Sequence, residues 1–185
     1  MINKSTLRKH FLAKRNRLSA QKVKQLSRDV CRQILSTSFF KKTDNIACYS
    51  ATFNEVTLTP LFNELAHVFL PVIKPNRKMV FSRYTSVQEL VKNKYGIFEP
   101  NSQQIIAAKE IAVCLLPLVA FNRQGMRLGM GGGYYDRYFE HNKDNKIPTK
   151  LIGIAYDFQE SDTIQAQSWD IPLDAIITNK EVITP

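Results

Sequence analysis

The sequence predicts an α/β protein of three layers, a mostly parallel central sheet between helices, with a helical hairpin at its N-terminus. Three observations carry this. Two apolar stripes at helical spacing lie within the first 34 residues. Apolar strand-like runs alternate with helical patterns from residue 43 onward. Residues 111–116 are wholly apolar, as in a strand buried on both faces. At 185 residues, with no repeat, low-complexity stretch or linker, the chain reads as a single domain over 1–185.

The elements follow in order. Leu7, Phe11 and Leu18 form the stripe of the first helix. Val23, Leu26, Val30 and Ile34 form that of the second, with Ser19 as its N-cap. Residues 45–50 read as a short buried strand. Residues 58–66 read as a helix with Leu58, Leu61, Phe62 and Leu65 inward. Strands are expected at 67–73 and 79–84, and a helical turn at 86–92. Further strands follow at 111–116, 150–155 and 173–178, and a helix at 134–141.

Composition excludes several classes. Hydrophobic residues make up 44% and charged residues 23%, too apolar for a disordered chain. The longest apolar run, 111–121, contains Pro117 and is far short of the roughly 20 residues a spanning helix needs. The charged N-terminal stretch has no apolar core of a secretory signal, so a cytoplasmic protein is expected. Cys31, Cys48 and Cys114 form no C-x-x-C pair and read as buried, reduced thiols. His10, His67 and His141 are scattered, no zinc spacing exists, and no G-x-S-x-G elbow is present.

The net charge of +10 is confined to one end. Residues 1–42 carry twelve cations and the single acid Asp29, whereas the rest of the chain is close to neutral. A nucleic-acid arm, a transit peptide and a folded wall for a polyanionic small molecule are the alternatives. A free arm has no need of two apolar stripes, so a folded hairpin is the reading. On its first helix Arg8 and Arg15 fall within about 40° of Lys4, beside the apolar stripe, while Lys9 and Arg17 face water. Lys4, Arg8 and Arg15 are therefore candidates either to bind an anion or to remain a solvated fringe.

Four of the seven glycines, Gly129, Gly131, Gly132 and Gly133, fall in one segment between Arg127 and Arg137. The segment follows the apolar strand and precedes a helix, where ligands bind in open parallel sheets. Consecutive glycines let backbone N–H groups converge on a phosphate. Neither a Walker A nor a Rossmann spacing is met. A plain flexible turn is the alternative, and flanking Arg127, Asp136 and Arg137 argue against it. Asp136 is placed either to hold magnesium on bound phosphates or to complement the helix dipole.

Residues 120–122, Gly125 and the run Arg127-Leu-Gly-Met-Gly-Gly-Gly-Tyr-Tyr-Asp-Arg137 closely resemble the signature of the 5-formyltetrahydrofolate cyclo-ligase family, also called methenyltetrahydrofolate synthetases. Weaker matches occur in order along nearly the whole chain, at residues 4–8, 49–56, 70–72, 95–100, Gln159 and 169–174. Family members can carry Arg or Lys where this chain has Met130 and Gly132. The resemblance implies ATP-dependent closure of 5-formyltetrahydrofolate to 5,10-methenyltetrahydrofolate with release of ADP and phosphate. It implies ATP as co-substrate and Mg2+ as cofactor. Lys4, Ser5, Thr6, Leu7 and Arg8, together with Arg127, Leu128, Gly129, Met130, Gly131, Gly132, Gly133, Tyr134 and Tyr135, would bind nucleotide. Ser50, Glu55 and the stretch from Met130 to Tyr134 would bind folate. Arg127 and Asp136 would be catalytic, and Asp136 and Asp170 would hold magnesium. Arg15 is a phosphate candidate by geometry alone. Tyr134 and Tyr135 are equally well core residues or ring-stacking ones.

The expected partners are small molecules, with no nucleic acid or membrane, and a monomer is expected. Two rivals remain: a nucleic-acid module on the basic hairpin, which would show a steep salt slope, and a sugar-phosphate isomerase or transferase, which would need no ATP.

Overall fold

The computed structural model describes residues 3–140, 149–165, 167 and 169–185. The hairpin is present: α1 spans Lys4–Asn16 and α2 spans Ala20–Ser36. The Ser19 hydroxyl accepts the Lys22 amide at 3.2 Å, satisfying an otherwise unpaired amide of α2. Asn3 does the same for α1, its side chain accepting the Thr6 amide at 2.8 Å.

The central sheet has eight strands. In chain order they are β1 (Asn45–Ala47), β2 (His67–Lys74), β3 (Lys78–Arg83), β6 (Ile105–Ile106), β7 (Val113–Pro117), β10 (Lys150–Ile154), β11 (Ala175–Ile177) and β12 (Val182–Ile183). Their spatial order is β12-β11-β10-β7-β1-β2-β3-β6. The five central strands, β11 through β2, are parallel, and antiparallel strands close both edges.

Side chains alternate across the sheet as the pleat requires. Ile46, Val68, Leu70, Val113, Leu115, Ile152 and Ile177 face one side, against Leu26, Val30 and Ile34 of α2. Ala47, Phe69, Cys114, Leu116, Leu151 and Ile176 face the other, against Phe139. There the short helix α4 (Tyr134–Tyr138) contributes Tyr134, Tyr135 and Tyr138. These three layers are the expected architecture. Leu7 and Phe11 of α1 seal a smaller cluster with Val119, Ala120, Leu128 and Ile164.

Several boundaries differ from the sequence reading. The helix expected at 58–66 is a single turn, α3 (Thr59–Phe62). That turn suffices to bury Leu58, Leu61 and Leu65, and by Ala66 the backbone already bonds the Lys42 carbonyl on its way into β2. The segment 86–92 is a short 3-10 turn followed by strand β4 (Leu90–Lys92), which pairs with β5 (Phe98–Pro100) in a separate ribbon. The helix expected at 134–141 ends at Tyr138, and His141 lies outside the described residues.

All three cysteines are buried and free. Burial pushes the Cys31 thiol up to about 12 and raises Cys48 and Cys114 as well. Among the described residues, no helix is long and apolar enough to cross a membrane.

Beyond β7 the chain makes a second small ribbon, β8 (Ala120–Phe121) with β9 (Arg127–Leu128). Its turn is fixed by Asn122, whose side-chain oxygen accepts the amides of Gln124 and Met126. Gly125 closes the turn at φ 79°, and a Cβ there would lie 2.8 Å from the Leu173 carbonyl oxygen. This ribbon delivers the glycine segment to the carboxyl end of β7.

Candidate active site

A cleft of about 220 Å3 opens where β7 ends. Three stretches of chain that are distant in sequence converge on it. Lys4 and Arg8 come from α1, Glu55 from the loop after β1, and residues 127–136 from β9, the glycine loop and α4. Pro117, Leu118, Gln167 and Asp170 complete the lining.

The glycine loop presents unused donors. Among the described residues, no acceptor takes the backbone N–H groups of Met130, Gly131, Gly132 or Gly133. Gly131 and Gly133 sit at φ 96° and 63°, conformations that glycine adopts at little cost. At Gly132 a Cβ would meet the Tyr134 ring at 2.8 Å. The loop is braced from both sides. Arg8 Nε donates to the Gly129 carbonyl at 2.7 Å, and Arg137 Nη2 donates to the Gly132 carbonyl at 2.7 Å. The Arg137 guanidinium also lies 5.4 Å from the Tyr134 ring centre. With only five residues, α4 adds little dipole, so the loop amides and side chains carry the site's positive character.

Arg127 is largely enclosed. It donates through Nη1 to the Ile171 carbonyl and through Nη2 to Asp136 Oδ1 at 2.5 Å. Among the described residues Asp136 Oδ2 has no hydrogen-bond partner, and Asp136 lines the same cleft as Asp170. Asp170 Oδ2 accepts from Lys4 Nζ at 3.3 Å and from the Gln167 amide at 2.9 Å. No cluster of three or more His, Cys, Asp or Glu exists among the described residues. Two carboxylates beside a phosphate-sized cradle nonetheless fit magnesium, which takes one or two protein carboxylates and completes its shell with phosphates and water.

Glu55, from the loop after β1, lines the same cleft and is 9% exposed. Its Oε2 accepts the Thr52 amide at 2.9 Å and the Thr52 hydroxyl at 3.3 Å. Burial raises its pKa, opposed by the Arg15 guanidinium 3.6 Å from Oε1 and by the Thr52 bonds.

Most of the residues singled out in the sequence meet here: Lys4, Arg8, Glu55, Arg127, the run 128–135, Asp136 and Asp170. Five do not line the cleft, Arg15 being one of them. Ser5 and Thr6 are exposed on the outer side of α1, Leu7 is buried in the cluster beneath it, and Ser50 is half-buried outside the lining. A helix places only every third or fourth residue on one face, so Lys4 and Arg8 reach the cleft and the residues between them cannot. Tyr134 and Tyr135 both pack against the core and line the cleft. Pro117, Leu118 and Gln167 were not foreseen. Their side-chain types carry no chemical signal, and only the fold brings them here.

A model of the 5-formyltetrahydrofolate cyclo-ligase family matches residues 1–179. Similar proteins include a Haemophilus influenzae 5-formyltetrahydrofolate cyclo-ligase, 35% identical over 169 residues that cover 86% of this chain and 88% of that one. One from Mycoplasma pneumoniae is 33% identical over 97% of this chain and 100% of its own. The solution structure of Aquifex aeolicus 5,10-methenyltetrahydrofolate synthetase superposes with a TM-score of 0.85 at 34% identity, covering 99% of this chain and 93% of that one. The overall fold agrees with these similarities, and the chain belongs to the 5-formyltetrahydrofolate cyclo-ligase family of enzymes.

Proposed function

We propose that the protein closes 5-formyltetrahydrofolate to 5,10-methenyltetrahydrofolate at the expense of ATP, and that the cleft is where it does so. One observation carries the reading: four consecutive unpartnered loop amides and Arg8 share a single cleft with the buried carboxylate Glu55. The first set suits a polyphosphate and the second suits the N–H donors of a pterin.

The chemical difficulty is an unreactive formamide whose oxygen leaves poorly. Transfer of the γ-phosphoryl group to that oxygen converts it into a leaving group. N10 then attacks the formyl carbon, the ring closes, and phosphate departs. Phosphoryl transfer needs positioning and charge neutralisation rather than a protein nucleophile. The residues lining the cleft include no Ser–His or Cys–His pair, in keeping with this.

Roles follow from placement. The amides of 130–133 receive phosphate oxygens. Arg8 and Lys4 neutralise the triphosphate from the facing helix. Arg127 has two of its nitrogens engaged by Ile171 and Asp136, so its first task is to hold Asp136 in place while its charge remains at the cleft wall. Asp136 and Asp170 would hold Mg2+, which when bound supplies charge neutralisation on the phosphates. Glu55 accepts from the pterin, and Tyr134 offers a ring face at the lip of the loop.

The test mixes protein, Mg-ATP and 5-formyltetrahydrofolate and follows absorbance at the methenyl-folate band, with ADP measured in parallel. Stoichiometric appearance of both supports the reading. No absorbance change, or ADP release independent of folate, overturns it.

A further inference from the structure

Arg15 lies on the same face of α1 as Lys4 and Arg8, yet it does not line the cleft. It is 1% exposed, the largest fully buried side chain among the described residues. Its side chain reaches the 52–55 loop and the segment after β7. Nε donates to the Phe53 carbonyl at 2.9 Å, Nη1 donates to the Leu118 carbonyl at 3.3 Å, and Nη2 stands 3.6 Å from Glu55 Oε1. Nη2 has no hydrogen-bond partner at all, a buried donor aimed at Glu55 and just out of reach of it. The loop that carries Glu55 is stitched to the same helix end. Asn54 donates to the carbonyls of Arg15 and Leu18, at and just past the C-terminal end of α1. Phe53 and Asn54 are both in the left-handed region, at φ 46° and 57°. For a phenylalanine that conformation is strained and persists only because surrounding bonds impose it.

We propose that Arg15 is a positioning residue for folate: from α1 it fixes the 52–55 loop and keeps Glu55 charged and pointed at the ligand. The proposal rests on the reading of Glu55 as the pterin acceptor. It replaces the sequence-based idea of Arg15 as a phosphate ligand, because the phosphate end of the cleft belongs to Lys4 and Arg8. One helix then serves both substrates, its first two turns the nucleotide and its last turn the folate.

The electrostatics support a specific signature. The groups facing Glu55 are Arg15 from α1, Thr52 from its own loop, Tyr49 beyond β1, Tyr135 on α4 and Tyr156 beyond β10. Burial raises all three tyrosines, so they stay neutral across the working range, and the arginine stays charged. Glu55 is the one carboxylate among them. Arg15 opposes the burial that raises Glu55, so without Arg15 the carboxylate ionises only at higher pH.

The experiment measures KM for 5-formyltetrahydrofolate and for Mg-ATP between pH 6 and 9. It uses wild type, Arg15→Met, Arg15→Lys, Glu55→Gln and the Arg15→Met/Glu55→Gln double variant. In Arg15→Met the folate KM should rise about tenfold or more near neutrality, the scale of one lost charge-assisted hydrogen bond. The defect should shrink as pH rises, and the Mg-ATP KM should change less than about twofold. Arg15→Lys should move the pH limb part of the way back. In the Glu55→Gln background, removing Arg15 should cost little more. A defect that strikes both KM values equally at every pH, or one that persists in full in the Glu55→Gln background, overturns the proposal. If Arg15→Met does not fold, the pH limb of Arg15→Lys decides alike: a limb at the wild-type position overturns it. A wild type that turns over while Glu55→Gln has a normal folate KM overturns the positioning role and leaves the ligase reading standing. A wild type with no turnover overturns both.

Discussion

Two alanine substitutions at glycines seven residues apart should separate scaffold from site. At Gly125, alanine must take φ 79°, which costs an L-residue about 1–2 kcal/mol. Its Cβ would also stand 2.8 Å from the Leu173 carbonyl oxygen and 3.0 Å from Pro185 Cγ. The first of these is backbone and cannot swing aside, so overpacking adds about 1–3 kcal/mol. A total of about 2–5 kcal/mol lowers Tm by about 4–20 °C in a chain of this size. At Gly132 the obstruction is the Tyr134 ring, a side chain that can turn, so the unliganded protein should lose only about 1 kcal/mol. The ring it displaces, however, forms the lip of the loop. Thermal unfolding with and without saturating Mg-ATP reads both effects. At a hundred times Kd the wild type should gain about 2.7 kcal/mol. Gly125→Ala should melt early and keep that gain, whereas Gly132→Ala should melt near wild type and lose most of it. The opposite pattern would refute the division drawn between turn and cradle.

Four further outcomes are expected. Asp136→Asn should abolish turnover at saturating Mg-ATP; it should cost about 1–3 kcal/mol in a denaturant titration, because enclosed Arg127 loses its charged partner. Arg8→Ala should raise the KM for ATP at least about tenfold while exposed Arg17→Ala leaves it unchanged, measured by initial rates. Glu55 has a raised folded-state pKa, so its contribution to stability is fully present below the unfolded value and is lost as pH rises through the folded value. Melts of wild type and Glu55→Gln over a pH series should therefore differ by a slope that falls with pH in that window. Alkylation of Cys31, Cys48 and Cys114 should be negligible in the native protein and complete in denaturant, counted by mass spectrometry.

The parts of this fold legible in the sequence are those in which one element fixes its own pattern. The hairpin announces itself through two stripes and a capping serine, and β7 through an unbroken apolar run. What escaped was set by partners. β8 and β9 are two residues each and exist only because Asn122 and Gly125 fold them together. β4 reads as a turn because its partner β5 lies across a loop organised by the Asn93 side chain. The candidate site divides in the same way. The glycine loop is visible because a run of glycines between arginines has few uses. Ser5, Thr6 and Leu7, taken together with Lys4 and Arg8 from a contiguous match, lie outside the cleft lining, because such a match does not say which face of a helix looks inward.

The same distinction bears on charge. The surplus of cations in the first 42 residues reads at first as a polyanion-binding arm, and burial sorts it into two populations. Lys9, Lys14, Arg17, Lys22, Lys24, Arg28 and Arg32 are exposed, spread around two helices with no aromatic residues interleaved for bases to stack on. Lys4, Arg8 and Arg15 are drawn inward, and each meets an acceptor supplied by distant chain: Asp170, the Gly129 carbonyl, and Phe53 with Glu55. An arginine as enclosed as Arg15 is stable only where such partners wait for it. That requirement ties α1 to the loop after β1 as firmly as its apolar stripe ties it to Val119 and Leu128. The helix is therefore held in place by the groups it serves.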